Sequence, residues 1–380
     1  SSKKSILTPQ SLEKKVLRCY IYNNNKINKR LSLELNQKQK ECKKMIKEFI
    51  IAKLPTDFCH ASTVIETPDG LLSCWFGGTH EGKADVAIWS SCKVDGKWTV
   101  PVKLADGVES NWNPVLFYNE QGKLHLFYKE GQQISDWKTY LMTSEDHGKT
   151  WSEPSEMVEG DVSGGRGPVR NKPIALSNGA VLAGGSVEKG EWTAFVDVSV
   201  DGCATWEKTA PIKIAGLVYQ AGEKTAESNI AVSEQSFYGR GVIQPSLWES
   251  EDSRVHMLLR SSEGYVYRAD SEDYGKTWSD AYKTELPNNN SGLDLVKASF
   301  DGKLYLVCNP VQANWGMRSP LSLFKSEDNG VTWNKLYDLE SEPGEFSYPA
   351  IIASEEGLII TYTWNRKTIA CVEISCEELR

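Results

Sequence analysis

Several things are scarce or missing in this chain of 380 residues, and each absence narrows what it does. No apolar run reaches the ~20 residues that a membrane-crossing helix needs, so no membrane span is expected. No two cysteines stand in a Cys-x-x-Cys spacing, so no zinc site is expected. No motif calls for a cofactor. Positive charge is not in excess: 43 Lys and Arg against 51 Asp and Glu leave a net charge of −8, which argues against a nucleic-acid partner. Histidine is rare at five, so two that fall close together carry information. No secretory signal opens the chain, which starts at Ser1. A targeting peptide removed upstream stays open, and so does the compartment.

What is present is ordinary globular composition, 40% hydrophobic and 25% charged. The nine cysteines are an odd number and scattered, several in strand-like contexts such as Leu304-Tyr-Leu-Val-Cys308. There cysteine acts as a small hydrophobe, and a reducing compartment, cytoplasm or organelle interior, is favoured.

One stretch repeats. Ser144-Glu-Asp-His-Gly-Lys-Thr-Trp151, Ser271-Glu-Asp-Tyr-Gly-Lys-Thr-Trp278 and Ser326-Glu-Asp-Asn-Gly-Val-Thr-Trp333 share the pattern Ser-x-Asp-x-Gly-x-Thr-Trp. Ser199-Val-Asp-Gly-Cys-Ala-Thr-Trp206 is a fourth copy with Cys203 at the glycine, and Asp95-Gly-Lys-Trp98 is a degenerate fifth. Ser144 and Ser199 are 55 positions apart, as are Ser271 and Ser326. The longer central interval implies an insertion. Each copy reads as a hairpin turn: Ser and Asp cap turn amides, Gly takes a positive φ, and Trp packs back between units. A period of roughly 50 residues made of strands and turns points to propeller blades.

These repeats resemble the Asp boxes, or bacterial neuraminidase repeats, of the sialidase superfamily. The resemblance implies an all-β fold, a β-propeller over residues 51–380. At about 55 residues per blade this makes six blades, or seven if the insertion from Ile214 to Gly241 hides a divergent one. The middle of that insertion, Gly216 to Tyr238, reads as a surface excursion or a lid over the propeller mouth. Residues 1–50 read as an N-terminal extension: a strand at Val16 to Ile21, a polar linker, and a helix from Leu33 to Lys47. The extension is a surface-packed decoration or an arm for a protein partner. The segment Phe49 to Leu54 offers a strand to close the last blade.

Sialidases hold a sugar carboxylate with three arginines, use a Tyr-Glu pair as nucleophile, and use an Asp as acid/base. By resemblance the second arginine is Arg260, the third Arg318, the tyrosine Tyr348, and the acid/base Asp85. Two positions depart. His60, in Cys59-His-Ala61, stands where the first arginine belongs, and Gln244 stands where the glutamate belongs. An amide cannot act as a base.

His60 and His80 both fall in the first blade, the second in the glycine-rich turn Phe76-Gly-Gly-Thr-His-Glu-Gly82. Histidine serves as acid or base near neutral pH. The pair resembles the histidines of propeller lyases that act on uronate-containing glycans, in which Arg260, Arg318 and Lys172 would neutralise the uronate and His60, His80, Tyr128 or Tyr348 would move protons. Trp112 and Asn113 offer a stacking platform and a hydroxyl partner. Asn171, Asn290, Ser291 and Asp294 are weaker candidates. His125, His147 and His256 read as structural. The expected ligand is an acidic glycan. The expected activity is removal of a terminal acidic sugar, with uronate elimination and a non-catalytic binding or assembly propeller as rivals.

Overall fold

A computed structural model describes residues 45–51, 53–227 and 234–380. The strand at Val16 to Ile21, most of the expected helix, and the partner-binding arm lie outside the described residues. The end of that helix does not hold: Ile46 and Lys47 belong to a strand, Ile46–Phe49. Alternating burial along this strand fits a sheet edge rather than a helix face.

The chain folds into successive antiparallel sheets, each built from the mouth outward. The innermost strands are Phe58–Thr67, Asn111–Tyr118, Ile174–Ala175, Arg240–Glu249, Asp294–Lys297 and Phe346–Ala353. Each is followed by its sheet's remaining strands in chain order, which gives six blades. The third and fourth blades touch through one short parallel pairing, Glu191 with Arg240 and Trp192 with Gly241. The sixth blade has only three strands of its own, and Ile46–Phe49 completes it by pairing with Thr368–Ser375. The closing strand therefore lies just upstream of the expected Phe49 to Leu54.

Side chains close the ring. The Leu116 amide donates to Thr63 Oγ1 at 3.2 Å, and Asn113 Nδ2 donates to the Val169 carbonyl at 3.1 Å. Asn171 Nδ2 donates to the carbonyls of Gln244 and Pro245, both at 3.1 Å. Asp294 accepts from Ser246 Oγ at 2.7 Å and from the Ile351 amide at 3.0 Å. The circle returns to its start where Ser62 Oγ meets Thr361 Oγ1 at 3.0 Å. Every blade is thus bonded to the next, and the sixth to the first.

The repeats form the turns read from the sequence. In all four copies the serine hydroxyl donates to the aspartate Oδ1 at 2.8 Å. The aspartate also accepts from the threonine amide and hydroxyl four residues on. Gly148 has φ +90°, and a Cβ there would lie 2.8 Å from Leu72 of the preceding blade, so both conformation and space require glycine. Cys203 accepts φ +75° instead.

Up to Arg240, which opens the inner strand of the fourth blade, the insertion carries no strand among its described residues, and these form no blade of their own. Ile214 makes an isolated bridge to Ala281. A short 3-10 helix, Glu234–Tyr238, then buries Phe237 against Trp315 at 5.6 Å between ring centroids. This end of the insertion reaches the mouth.

Candidate functional site

The same distortion recurs at the mouth end of four inner strands. Pairing registers shift between His60 and Thr63, Trp112 and Val115, Ile243 and Ser246, and Ser347 and Ala350. Inside each shift one non-glycine residue has positive φ: Ala61 (+53°), Asn113 (+42°), Gln244 (+55°) and Tyr348 (+53°). Such bulges re-aim side chains and concentrate at sites. Proline follows three of them, Pro114, Pro245 and Pro349, and it biases the preceding residue away from a helical conformation.

A cavity of about 590 Å³ opens where these bulges meet. His60, His80, Trp112, Asn113, Gln244, Arg260 and Tyr348 all line it. Aromatic walls come from Phe76, Trp112, Trp137, Trp192 and Trp315, and Glu234 to Ser236 of the insertion form part of the rim. A concave, aromatic pocket with a few convergent polar groups has the character of a small-molecule or sugar site.

Arg260 is the centre of its polar side. The side chain is 2% exposed. Its Nε donates to Asn290 Oδ1 at 2.7 Å, and its Nη1 donates to Tyr348 Oη at 2.8 Å and to Gln244 Oε1 at 3.2 Å. The guanidinium sits over Trp315 at 5.1 Å. Gln244 Nε2 in turn donates to Glu188 Oε1 at 3.4 Å. One polar chain therefore runs Glu188, Gln244, Arg260, Tyr348.

Tyr348 is surrounded by cations. Arg170, Arg260 and Arg318 lie 5.4, 5.8 and 5.4 Å from its ring centroid. Arg170 donates to the carbonyls of Tyr348 and Pro349 and so holds the bulge from behind. Burial pushes Arg170 down to about 10, which leaves it charged near neutrality. The His60 ring packs at 4.3 Å from that of Tyr348, and its Nδ1 shares a hydrogen bond of 2.9 Å with Thr363 Oγ1. Burial first, then Arg366, Arg318, Arg170 and Arg260, push the imidazole well below its usual range. The ring is neutral near pH 7.

Three expected residues do not line the cavity. Asp85 is exposed and accepts from the Thr79 amide and hydroxyl, both at 2.9 Å. It caps the glycine-rich turn. Lys172 donates to Asp294 Oδ2 at 2.9 Å and to the Leu295 carbonyl at 2.8 Å. It braces the ring. Arg318 donates to Glu345 Oε1 at 2.6 Å, and Arg366 bonds the same carboxylate at 2.9 Å. It packs behind Tyr348, and the neighbouring carboxylate consumes its charge. Sequence alone could not separate these cations from Arg260, since their partners lie in other blades.

Of the weaker candidates, Asn290 supports Arg260, Asp294 is the ring hub, and Asn171 ties the third blade to the fourth. Tyr128 is buried and stacks on Tyr140 at 5.8 Å between centroids, away from the cavity lining. His125 and His147 make local bonds, to the Lys123 carbonyl at 3.1 Å and to Tyr118 Oη at 2.9 Å. His256 is buried between Trp248, Ser250 and Asp270. None of the three lines the cavity. Among the lining residues that sequence reasoning did not single out is Glu188, which reaches the cavity from the hairpin between Val181–Val187 and Glu191–Ser199.

Among the described residues one grouping has metal-ligand chemistry, Glu48, Cys371 and Glu373. Lys93 pairs with both of its carboxylates, so an ammonium already bridges them. The seven described cysteines are free thiols. No described helix is long and apolar enough to cross a membrane.

Blades locked by Asp boxes around a pocket of bulged inner strands define an Asp-box β-propeller. The chain belongs to the BNR repeat-like domain family, whose model matches residues 69–360. Its likeness to solved sialidases is one of fold, at low sequence identity. A protein of unknown function from Dyadobacter fermentans is 16% identical with a TM-score of 0.65, covering 87% of this chain and 99% of its own. The Hadza microbial sialidase Hz136 is also 16% identical with a TM-score of 0.65, covering 85% of this chain and 66% of its own. Trypanosoma rangeli sialidase is 13% identical with a TM-score of 0.65, covering 88% and 60%. No curated protein matches the sequence.

Proposed function

We propose that the mouth binds the end of an acidic glycan and releases its terminal sugar by hydrolysis. The observation that carries this reading is Arg260. Its Nε and Nη1 are held by Asn290, Gln244 and Tyr348, while Nη2 has no bond among the described residues and is left to meet a ligand carboxylate. The same guanidinium orients the phenol oxygen of Tyr348, which is the nucleophile in this reading. Aromatic walls suit the apolar face of a pyranose. A pocket rimmed by the insertion suits a chain end rather than the middle of a polymer. Trypanosoma rangeli sialidase, similar in fold, has been solved with 2,3-difluorosialic acid as a covalent intermediate.

A second reading, elimination from a uronate, is favoured by one feature: the neutral His60 packed on Tyr348. Both readings place a carboxylate on Arg260. A purified sample tested for fluorophore release from a sialoside, and for ultraviolet absorbance of an unsaturated uronate from rhamnose-glucuronate glycans, separates them. Release that is lost in Arg260→Ala and Tyr348→Phe supports hydrolysis. Absorbance that grows and is lost in His60→Ala replaces hydrolysis by elimination. Silence in both assays from folded protein favours a non-catalytic binding propeller.

A further inference from the structure

Resting on the hydrolytic reading, we infer that Glu188 is the proton donor to the leaving group, a role that Asp85 cannot take from its turn. Three carboxylates line the cavity: Glu81, Glu188 and Glu234. Glu81 is paired with Arg366, and Glu234 with Lys224 at 3.1 Å. Both are committed as anions to a cation. Glu188 has no ion pair among the described residues. Its Oε1 accepts from Ser186 Oγ at 3.0 Å and from Gln244 Nε2 at 3.4 Å, and its Oε2 has no hydrogen-bond partner there. One carboxyl oxygen is therefore anchored and the other is free to present a proton to the cavity.

Gln244 gains a purpose here. It accepts from Arg260 and donates to Glu188, so a neutral amide stands between the guanidinium and the carboxyl. Direct contact with Arg260 would hold Glu188 ionised. With the amide interposed, burial raises Glu188 above the usual carboxylate range, against the opposing pull of Arg260, Ser186, Gln244 and the buried Lys129. A glutamate at 244 would crowd two carboxylates and shift the proton between them. The departure from the sialidase pattern at this position, and the displacement of the acid from Asp85, become one rearrangement: the tyrosine loses a carboxylate partner and the cavity gains a carboxylic acid.

The step balances as follows. Tyr348 oxygen forms the bond to the anomeric carbon, and its proton leaves to cavity water. The glycosidic C–O bond breaks with its electron pair on the leaving oxygen, which takes the Glu188 proton. Water then adds to the anomeric carbon as the tyrosyl bond breaks. The Glu188 carboxylate takes a proton from that water, and Tyr348 regains one from solvent. The sum is glycoside plus water giving sugar plus alcohol.

The test compares leaving groups. Glu188→Gln is assayed on a 4-methylumbelliferyl sialoside, whose phenol departs without help, and on sialyl-lactose, whose sugar hydroxyl needs a proton. The expected result is a loss of about 100-fold or more on sialyl-lactose, with at most a small loss of the first bond-breaking step on the aryl glycoside. The high-pH limb of kcat/KM on sialyl-lactose should also vanish. Equal losses on both substrates, or none on either, overturn the assignment. Infrared difference spectra of the unliganded protein, recorded as pH rises past the ordinary glutamate value of about 4.3, give a second readout. A protonated-carboxyl band that Glu188→Gln removes is expected, and its absence overturns the assignment even if the wild type cleaves neither substrate. The band with no cleavage leaves Glu188 as the cavity acid and instead defeats the hydrolytic reading.

Discussion

The two ends of the blades obey different rules. At the Asp-box end, four turns of nearly one sequence make nearly one set of bonds. Even there one copy differs. Trp151, Trp278 and Trp333 donate Nε1 to the glycine carbonyl of their own box, at 3.1, 2.8 and 3.2 Å. Trp206, whose box has Cys203 in that place, has a buried Nε1 with no acceptor. At the mouth end the backbone repeats, as four matching bulges, but the side chains they aim are Ala, Asn, Gln and Tyr. The lesson is that repetition at one end fixes the frame, which leaves the other end free to vary its chemistry.

The sharpest way to break that contrast is to cut the frame at the mouth end rather than at the boxes. Asp294 joins the third, fourth and sixth blades to its own through Lys172, Ser246 and Ile351. Asp294→Ala strands the half-buried Lys172 ammonium and the buried Ser246 and Ile351 donors and should cost about 3–5 kcal/mol, read as a lower denaturation midpoint. A loss no greater than that of a single exposed Asp-box aspartate would show that the ring is held elsewhere. Next comes the site. Arg260→Ala should lower kcat/KM about 100-fold or more while leaving the melting curve cooperative, whereas Asp85→Asn should stay within about twofold of wild type.

Acid should weaken the boxes. Hydrogen bonds from Thr150 and Thr205 hold Asp146 and Asp201 down to about 2, below an unfolded value of about 3.9. Their contribution is complete above that unfolded value and is lost as pH falls toward the folded one. The melting temperature should therefore drop between about pH 4 and pH 2, with a smaller drop in an Asp146→Asn, Asp201→Asn double variant. The smallest effect is at Cys203. Glycine there would relieve φ +75° but give up a side chain that is 5% exposed, so Cys203→Gly should change stability by no more than about 1 kcal/mol.

The sequence made the box end legible because its chemistry is local: serine, aspartate, glycine and threonine satisfy one another within eight residues. It also carried the mouth motifs, since Trp-Asn-Pro, Gln-Pro and Tyr-Pro mark three of the four bulges. What it could not carry was the direction of each cation. Arg260, Arg318 and Lys172 looked alike until Glu345 and Asp294 arrived from other blades to occupy two of them. Glu188 was hidden for the opposite reason. Ser186-Val-Glu-Lys-Gly190 is an unremarkable hairpin, and only the closed ring turns it toward Gln244. The sequence leaves the insertion open as a divergent blade, a surface excursion or a lid, and Phe237 on Trp315 places its end at the mouth.

The central claim is that Arg260 receives a sugar carboxylate in this cavity. Calorimetric titration of wild type and Arg260→Ala with N-acetylneuraminic acid and with its methyl ester tests it most directly. The account predicts that wild type binds the acid at least about tenfold more tightly than the ester, a difference of about 1.4 kcal/mol, and that Arg260→Ala does not distinguish them. Equal binding of acid and ester by wild type, or a preference that survives the loss of Arg260, would contradict it.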